Sequence, residues 1–543
     1  MFRRIWIWLL VIVSAACNLT GGADQTRNAA VFTVGPPAGS PEAMTEEPTV
    51  VTEVSVMETP SATPSVAPSP SSTPTQTPLP SDTPTVTPTP TDTVVPTDTP
   101  IPSETPVPVS TPLPLPRMSP DNLQLIDLPE QLVTGLNQPY IVFVNENDSV
   151  TITNLSTAEP DTGREIVYFA HPRNPADRIP VLEFTSSSRT PIFPAPSGAG
   201  VAYFLENNGL YVLDIRSGLS LRVMAIDSLV QRGIPTSPAW RADGRLLAMT
   251  TEGGYSLDIM AFDLNNSTWQ PLVNDGSHDF WPSFSPDSRY MAFVSDRETC
   301  PMWDPREAGA CVEGLDPGPT GGHVYLLELE SGEVTRLSDE PTFETPYWIN
   351  NSELAFTTGD PLELLNPSRS LWLASASDGS AREIMPEGVS GAPFNLSEAW
   401  SPDGSEVIFQ KADGSTTETV VMNADGEIIA TLEDLSFSRF TLAASWSADG
   451  TRVAVGGGGG QCPYGVRVLD DNFQRVASGG IPPTMCDPIF SGNGQYIAFT
   501  GVNTARGDGR VDVYTVSPNG VDRVTLTLDL RGQMRLIGWV GPG

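Results

Sequence analysis

From Tyr140 onward, apolar and polar positions alternate in short runs, and no stretch carries a helical stripe. Tyr290-Met291-Ala292-Phe293-Val294 is one such run, and period two over five or six residues predicts a half-buried β-strand. A second kind of run closes on glycine-containing turns: YVLDIRSG, VYLLELESG, LWLASASDG, VVMNADG and VDVYTVSPNG. Glycine supplies the positive φ that tight hairpin turns need. A third feature marks the start of each copy, an aromatic residue followed by a polar turn. It reads WRADGRLLAMT from Trp240, FSPDSRYMAFV from Phe284, WINNSELAFTT from Trp348, WSPDGSEVIFQ from Trp400, WSADGTRVAVG from Trp446 and FSGNGQYIAFT from Phe490. A degenerate copy, FPAPSGAGVAYF, begins at Phe193. Successive anchors lie 47, 44, 64, 52, 46 and 44 residues apart. In five copies an apolar residue falls nine positions after the anchor: Met249, Phe293, Phe409, Val455 and Phe499.

A period of this length, built from short strands, indicates a propeller or solenoid. Each copy predicts four strands: a ends at the anchor, b is the alternating run, c precedes the glycine turn, and d follows it, as in Glu333–Leu337 and Glu427–Leu432. The expected class is all-β. Trp-Ser-Pro-Asp-Gly leading to Val-Ile-Phe (Trp400–Phe409) resembles the repeat of TolB-like propellers, relatives of WD-type repeats, as does Ser285-Pro286-Asp287 with Met291-Ala292-Phe293. The resemblance covers residues 190–540 and implies the fold, because such repeats serve binding scaffolds, peptidase gates and lyases alike. Seven anchors imply seven blades. An eighth is expected from residues 139–186, where Tyr140–Ser156 offers two strands, closed by Ile537-Gly538-Trp539 as strand a. Seven blades with an accessory β segment is the alternative.

Ahead of the repeats the composition changes. Arg3 and Arg4 precede an apolar run, Ile5–Val13, too short to span a bilayer, and Ser14-Ala15-Ala16 precede Cys17. This resembles a bacterial lipoprotein signal, with residues 1–16 removed and lipid on Cys17, although Ser14 replaces the usual Leu and a plain secretory cleavage satisfies the same residues. Residues 17–120 are rich in Pro and Thr, poor in aromatics and without periodicity, which predicts a disordered linker biased to polyproline II. Its Thr59–Pro116 part would reach on the order of 180 Å if fully extended. The propeller is then expected over 121–543. An exported chain, lipid-anchored to the cell membrane and facing the surface or periplasm, follows from this leader.

Charge and chemistry narrow the function. The formal net charge is −36 and Lys411 is the only lysine, so no basic stripe exists to neutralise nucleic-acid phosphates. The three histidines, His171, His278 and His323, belong to different repeats. No Gly-x-Ser-x-Gly elbow or HExxH is present. No catalytic residue, metal or cofactor is assigned, and Arg506-Gly507-Asp508 reads as a chance tripeptide.

In a propeller the a–b and c–d turns share one rim, and the b–c and d–a loops the other. The enlarged segments Asp296–His323, Gly359–Ser370, Gly456–Gly465 and Gly501–Arg510 all join b to c. Loops on a rigid frame are where binding concentrates, so this rim is the expected ligand face. Disulfides Cys300–Cys311 and Cys462–Cys486 are expected there, with Cys486 in a d–a loop. Trp303, Asp304, Arg306 and Glu307 are the candidate ligand contacts. A self-packed loop closed by the Trp and an Arg–carboxylate pair is the other reading. The expected function is a non-catalytic, monomeric binding scaffold for a protein, peptide or envelope glycan; the alternative is a secreted carbohydrate-active enzyme, lyase or hydrolase, with an axial metal.

Overall fold

The computed structural model describes residues 119–125, 127–146, 164–185, 190–205, 209–225, 238–308, 310–311, 321–358, 370–384, 399–413, 416–433, 435, 442–458, 465–476, 481, 484–503 and 509–542. Their strands form eight antiparallel sheets, the blades of a β-propeller. The first blade is Gln533–Val540, Tyr140–Glu146, Arg164–Ala170 and Arg178–Thr185. The expected closure by Trp539 is therefore present: Ile141 pairs with Trp539 and Tyr140 with Val540. Its second native strand, however, is Arg164–Ala170. Residues 147–163, which hold the strand expected before Ser156, lie outside the described residues.

The second to fifth blades follow in chain order from Ile192–Pro194, Ala239–Trp240, Asp279–Phe284 and Tyr347–Trp348. The sixth is completed by a bridge between Trp400 and Val407, and the seventh, from Leu442–Trp446, by one between Leu469 and Arg475. The eighth begins with Met485–Phe490. Cys486 thus lies within strand a, not in the loop before it, because pairing with Thr500 carries the ladder past the cysteine. The outer edge of the second blade carries a fifth strand, Ser119–Leu125, antiparallel to Leu219–Met224. It is the first strand among the described residues.

Strand a is the inner strand. It lies at the sheet edge, and the a strands of adjacent blades touch: Asp279–Phe284 meets both Ala239–Trp240 and Tyr347–Trp348. Pro191, Pro238, Pro282, Pro346 and Pro488 all sit two residues before an anchor. Proline lacks a ladder donor, so it is admitted on an edge strand whose free side has no partner. The b and c strands pack blade on blade. Leu246, Ala248, Ile259 and Ala261 of the third blade, for example, bury against Phe284, Met291, Phe293 and Tyr325 of the fourth.

Five tryptophans tie neighbouring blades together. The indole N–H donates to a carbonyl of the preceding blade's strand a from Trp240 (Phe193, 2.8 Å), Trp348 (Ser283, 2.9 Å), Trp446 (Ala399, 2.9 Å) and Trp539 (Ile489, 3.1 Å). Trp400 instead donates to the Tyr347 hydroxyl at 3.2 Å. The indole body fills the wedge between blades while its one donor is satisfied, which is how large aromatics are buried at low cost. Phe284 and Phe490 fill the same place without a donor, whereas Phe193 packs against the cluster that the second blade shares with the third.

The a–b turns explain the recurring Asp. In the fourth blade Ser285 Oγ donates to Asp287 at 2.7 Å and accepts from Tyr290 N–H, while Asp287 also accepts from Arg289 N–H. Ser401/Asp403, Ser447/Asp449 and Ser491/Asn493 repeat the arrangement. These carboxylates are turn residues. The next position takes positive φ: Gly404 has φ 74°, Gly450 69° and Gly494 68°, but the fourth blade places Ser288 there at 63°. A side chain in that region is strained relative to glycine. Ser288→Gly is therefore expected to stabilise the protein by about 0.5–1 kcal/mol, read from the denaturant midpoint, and unchanged stability would contradict this account.

Candidate functional site

The b–c loop of the fourth blade begins where the Tyr290–Ser295 strand ends. Buried Asp296 organises it. One carboxylate oxygen accepts from His278 N–H at 2.8 Å, and the other from the Trp303 indole at 2.9 Å. The Thr299 and Cys300 amides turn back onto the Asp296 carbonyl. Cys300 is bonded to Cys311, and the Cys311 amide donates to Met302 O. Trp303 lies flat on His278, with ring centroids 4.4 Å apart and planes 10° from parallel. Its amide donates to Gly276 O. Gly276 takes φ 97° there, a backbone conformation that favours glycine. Farther out, Arg306 forks onto Asp304 at 2.6–3.1 Å and lies 5.3 Å from the Tyr255 ring of the third blade.

The four candidate contacts are thus brought together, in two roles. Trp303 and Asp304 are half-buried and already engaged, which is the self-packed arrangement. Arg306 and Glu307 are exposed at the tip. The hydrogen bonds from Arg306 hold the Asp304 carboxyl below its ordinary range, and that carboxylate raises the guanidinium's. Of the second expected pair, Cys486 is disulfide-bonded, while Cys462 lies outside the described residues, as do residues 359–369 and 504–508.

The three histidines stay apart. His278 is buried and its Nδ1 accepts the Leu257 amide at 3.1 Å. His171 Nδ1 accepts from the Arg173 and Asn174 amides, and His323 Nε2 contacts the Asp339 carbonyl. Among the described residues no three His, Cys, Asp or Glu side chains gather to hold a metal ion.

No family model matches the chain. Over 120 residues it is 33% identical to a Protein TolB homolog of Chlorobium chlorochromatii, a stretch that covers 22% of this chain and 26% of that relative. The chain is TolB-like in its repeat. It spans about a quarter of that curated relative's length. Among solved structures, TolB from Acinetobacter baumannii is 18% identical with a TM-score of 0.31, over 55% of this chain and 64% of that one. Porphyromonas gingivalis dipeptidyl peptidase 4 is 13% identical with a TM-score of 0.44, over 75% and 63%. Oligogalacturonate lyase from Vibrio parahaemolyticus is 13% identical with a TM-score of 0.36, over 70% and 98%.

Beneath the loop of this TolB-like propeller lies a carboxylate–arginine network absent from the candidate contacts. Arg297 reaches Asp275 and fully buried Asp279, each at 2.9 Å, and lies 4.5 Å from the Tyr325 ring. Burial pushes the Asp279 carboxyl up to about 7 against the pull of Arg297, with Asp275 adding to the rise. Burial likewise raises Asp296 to about 6, against the hydrogen bonds from His278 and Trp303. The unfolded chain ionises such carboxyls near pH 4, so the folded state binds more protons between there and pH 7. Their stabilising effect is present in full at low pH and is lost as pH rises through these values. Asp279→Asn, which leaves Arg297 its Asp275 partner, is expected to gain on the parent between pH 5 and pH 7. The gain is at most about 1.4 kcal/mol per pH unit, and parallel melting profiles would refute it.

Proposed function

We propose that this chain is a lipid-anchored propeller of the cell surface or periplasm, acting as a non-catalytic binding scaffold for a protein, peptide or glycan of the envelope. One observation carries the reading: on the loop-bearing rim, a disulfide-clipped insertion holds the exposed Arg306 and Glu307 on an internally bonded base. A fixed backbone lowers the entropy lost on binding. Trp303 positions the loop, and Asp304 orients the guanidinium. The leader and the Pro/Thr-rich segment support the location, with Cys17 as the lipidated residue.

The full chain, immobilised, tests this against its own envelope fraction beside two variants. Arg306→Ala/Glu307→Ala alters the tip, and Glu330→Ala alters an exposed residue on the opposite rim. The expected result is one species held by the parent and by Glu330→Ala, with affinity for the tip variant down roughly tenfold or more. Equal retention by all three would remove the loop as the reader. For the anchor, Cys17→Ser is expected to abolish fatty-acid labelling, and unaltered labelling would exclude it.

A further inference from the structure

The ring is not sealed evenly. Where an anchor is Phe, the indole tie between blades is missing, and two of those places show further departures. In the fourth and eighth blades, strand a carries a bulge at the same point, between Phe280 and Ser283 and between Cys486 and Ile489. The bulged residues Trp281 and Asp487 have φ of 54° and 53°, and each directly precedes a proline. Proline disfavours such a conformation in the residue before it, and strain of this kind persists only where surrounding structure enforces it. The fourth and eighth blades stand opposite one another in a ring of eight. Both also carry the disulfide-bonded cysteines: Cys300 and Cys311 in the fourth, Cys486 in the eighth. The remaining Phe junction, between the first and second blades, is closed differently. There Arg535 donates to Thr190 O at 2.9 Å, and Gly541 N–H donates to Pro196 O at 2.8 Å.

The seam between the third and fourth blades lacks the indole tie at Phe284, beside the a–b turn, and the clipped loop stands at the other end of the same seam. The Leu257 amide, at the start of a third-blade strand, donates to His278. His278 is held by Asp296 beneath and Trp303 above. Arg306 adds its contact with Tyr255 from the same side. Every one of these fourth-blade groups except His278 lies between Asp296 and Cys311, so the disulfide fixes the segment that fixes the seam.

We propose that the Cys300–Cys311 disulfide is a redox latch on this seam, released by an external dithiol without unfolding the ring. In the step, a thiolate of the dithiol attacks the sulfur of Cys311, the less buried residue of the pair, and Cys300 leaves as thiolate. The second thiol of the reductant then displaces Cys311 from the mixed disulfide. Two electrons and two protons pass from the dithiol to the two cysteines, and the reductant leaves as its own disulfide. Freed of its closure, the loop gives up the Trp303–His278 stack, and the Leu257 amide loses a partner held in place. The latch is independent of what the rim binds.

Hydrogen exchange on the full chain, with and without dithiothreitol, tests it. Reduction is expected to speed exchange about tenfold or more in peptides covering 253–263 and 275–311, while 347–358 keeps its protection. Cys300→Ser/Cys311→Ser should show the same fast exchange without reductant, and dithiothreitol should add nothing at 253–263. That second comparison separates this bond from the one at Cys486. Unchanged exchange at 253–263 on reduction would overturn the latch, because the bond would then restrain only its own loop. Loss of protection around the whole ring would overturn it too. Should the double variant fail to fold, the reductant series on the parent chain decides between the same outcomes.

Discussion

Removal of residues 531–543 is expected to abolish cooperative folding. The deletion takes strand a from the first blade, and with it the ladder from Tyr140–Val540 to Glu146–Gln533. Met534, Leu536, Ile537 and Val540 are all buried. At about 1.5–3 kcal/mol for each such side chain, their loss alone costs roughly 6–12 kcal/mol, comparable with the whole stability of an ordinary domain. Two further losses compound it. Buried Glu146 is left without its 2.6 Å contact to Arg535, and the eighth blade loses the Trp539 tie at Ile489. The checking measurement is the denaturant transition of the truncated chain beside the parent. A single sharp transition at the parental midpoint would show that the ring does not depend on this strand.

The second large effect is expected from Trp446→Ala. Trp446 is buried between the sixth and seventh blades, and its indole donates to Ala399 O at 2.9 Å. Its cluster includes Trp400, Val407, Phe409 and Val453. Truncation leaves a cavity in a wedge that the surrounding sheets cannot close, so a loss of about 3–5 kcal/mol is expected. Trp446→Phe keeps most of the volume and removes the donor, as nature has it at Phe284 and Phe490, and should cost about 1–2 kcal/mol. Urea midpoints of the two variants check this. Equal losses would mean that the hydrogen bond, not the filled volume, governs the junction.

The repeat was legible because its markers act locally. An Asp or Asn that caps its own turn, a Gly at positive φ and an alternating run each show their role within ten residues, so anchors, turns and most strands lie where the pattern predicts them. Val334–Arg336 and Ile428–Thr431 fall inside the expected d strands. Trp539 could be read as a closing strand because it keeps the anchor's character far from its blade. Arg164–Ala170 was missed because no anchor in sequence precedes its blade. Ser119–Leu125 was missed because its pairing partner lies a hundred residues away. The site divides in the same manner. The disulfide loop and its four side chains follow from the spacing of the cysteines, whereas the roles of His278, Leu257 and Tyr255 depend on one blade lying beside another. No periodicity encodes that adjacency.

The closing strand also sets an order of events. Arg535 and Glu146 meet across 389 residues of chain, whereas, Ser119–Leu125 apart, the described strands of the other blades pair with near neighbours. Contacts so distant in sequence form slowly, because the chain entropy between them is lost before the contact rewards it. The blades therefore assemble first as an open arc, with the Tyr140–Glu146 edge waiting unpaired. During that interval the edge is a template for any strand that reaches it. A fast phase that builds the sheets, followed by a slow one that quenches Trp539, is the kinetic signature of such a ring.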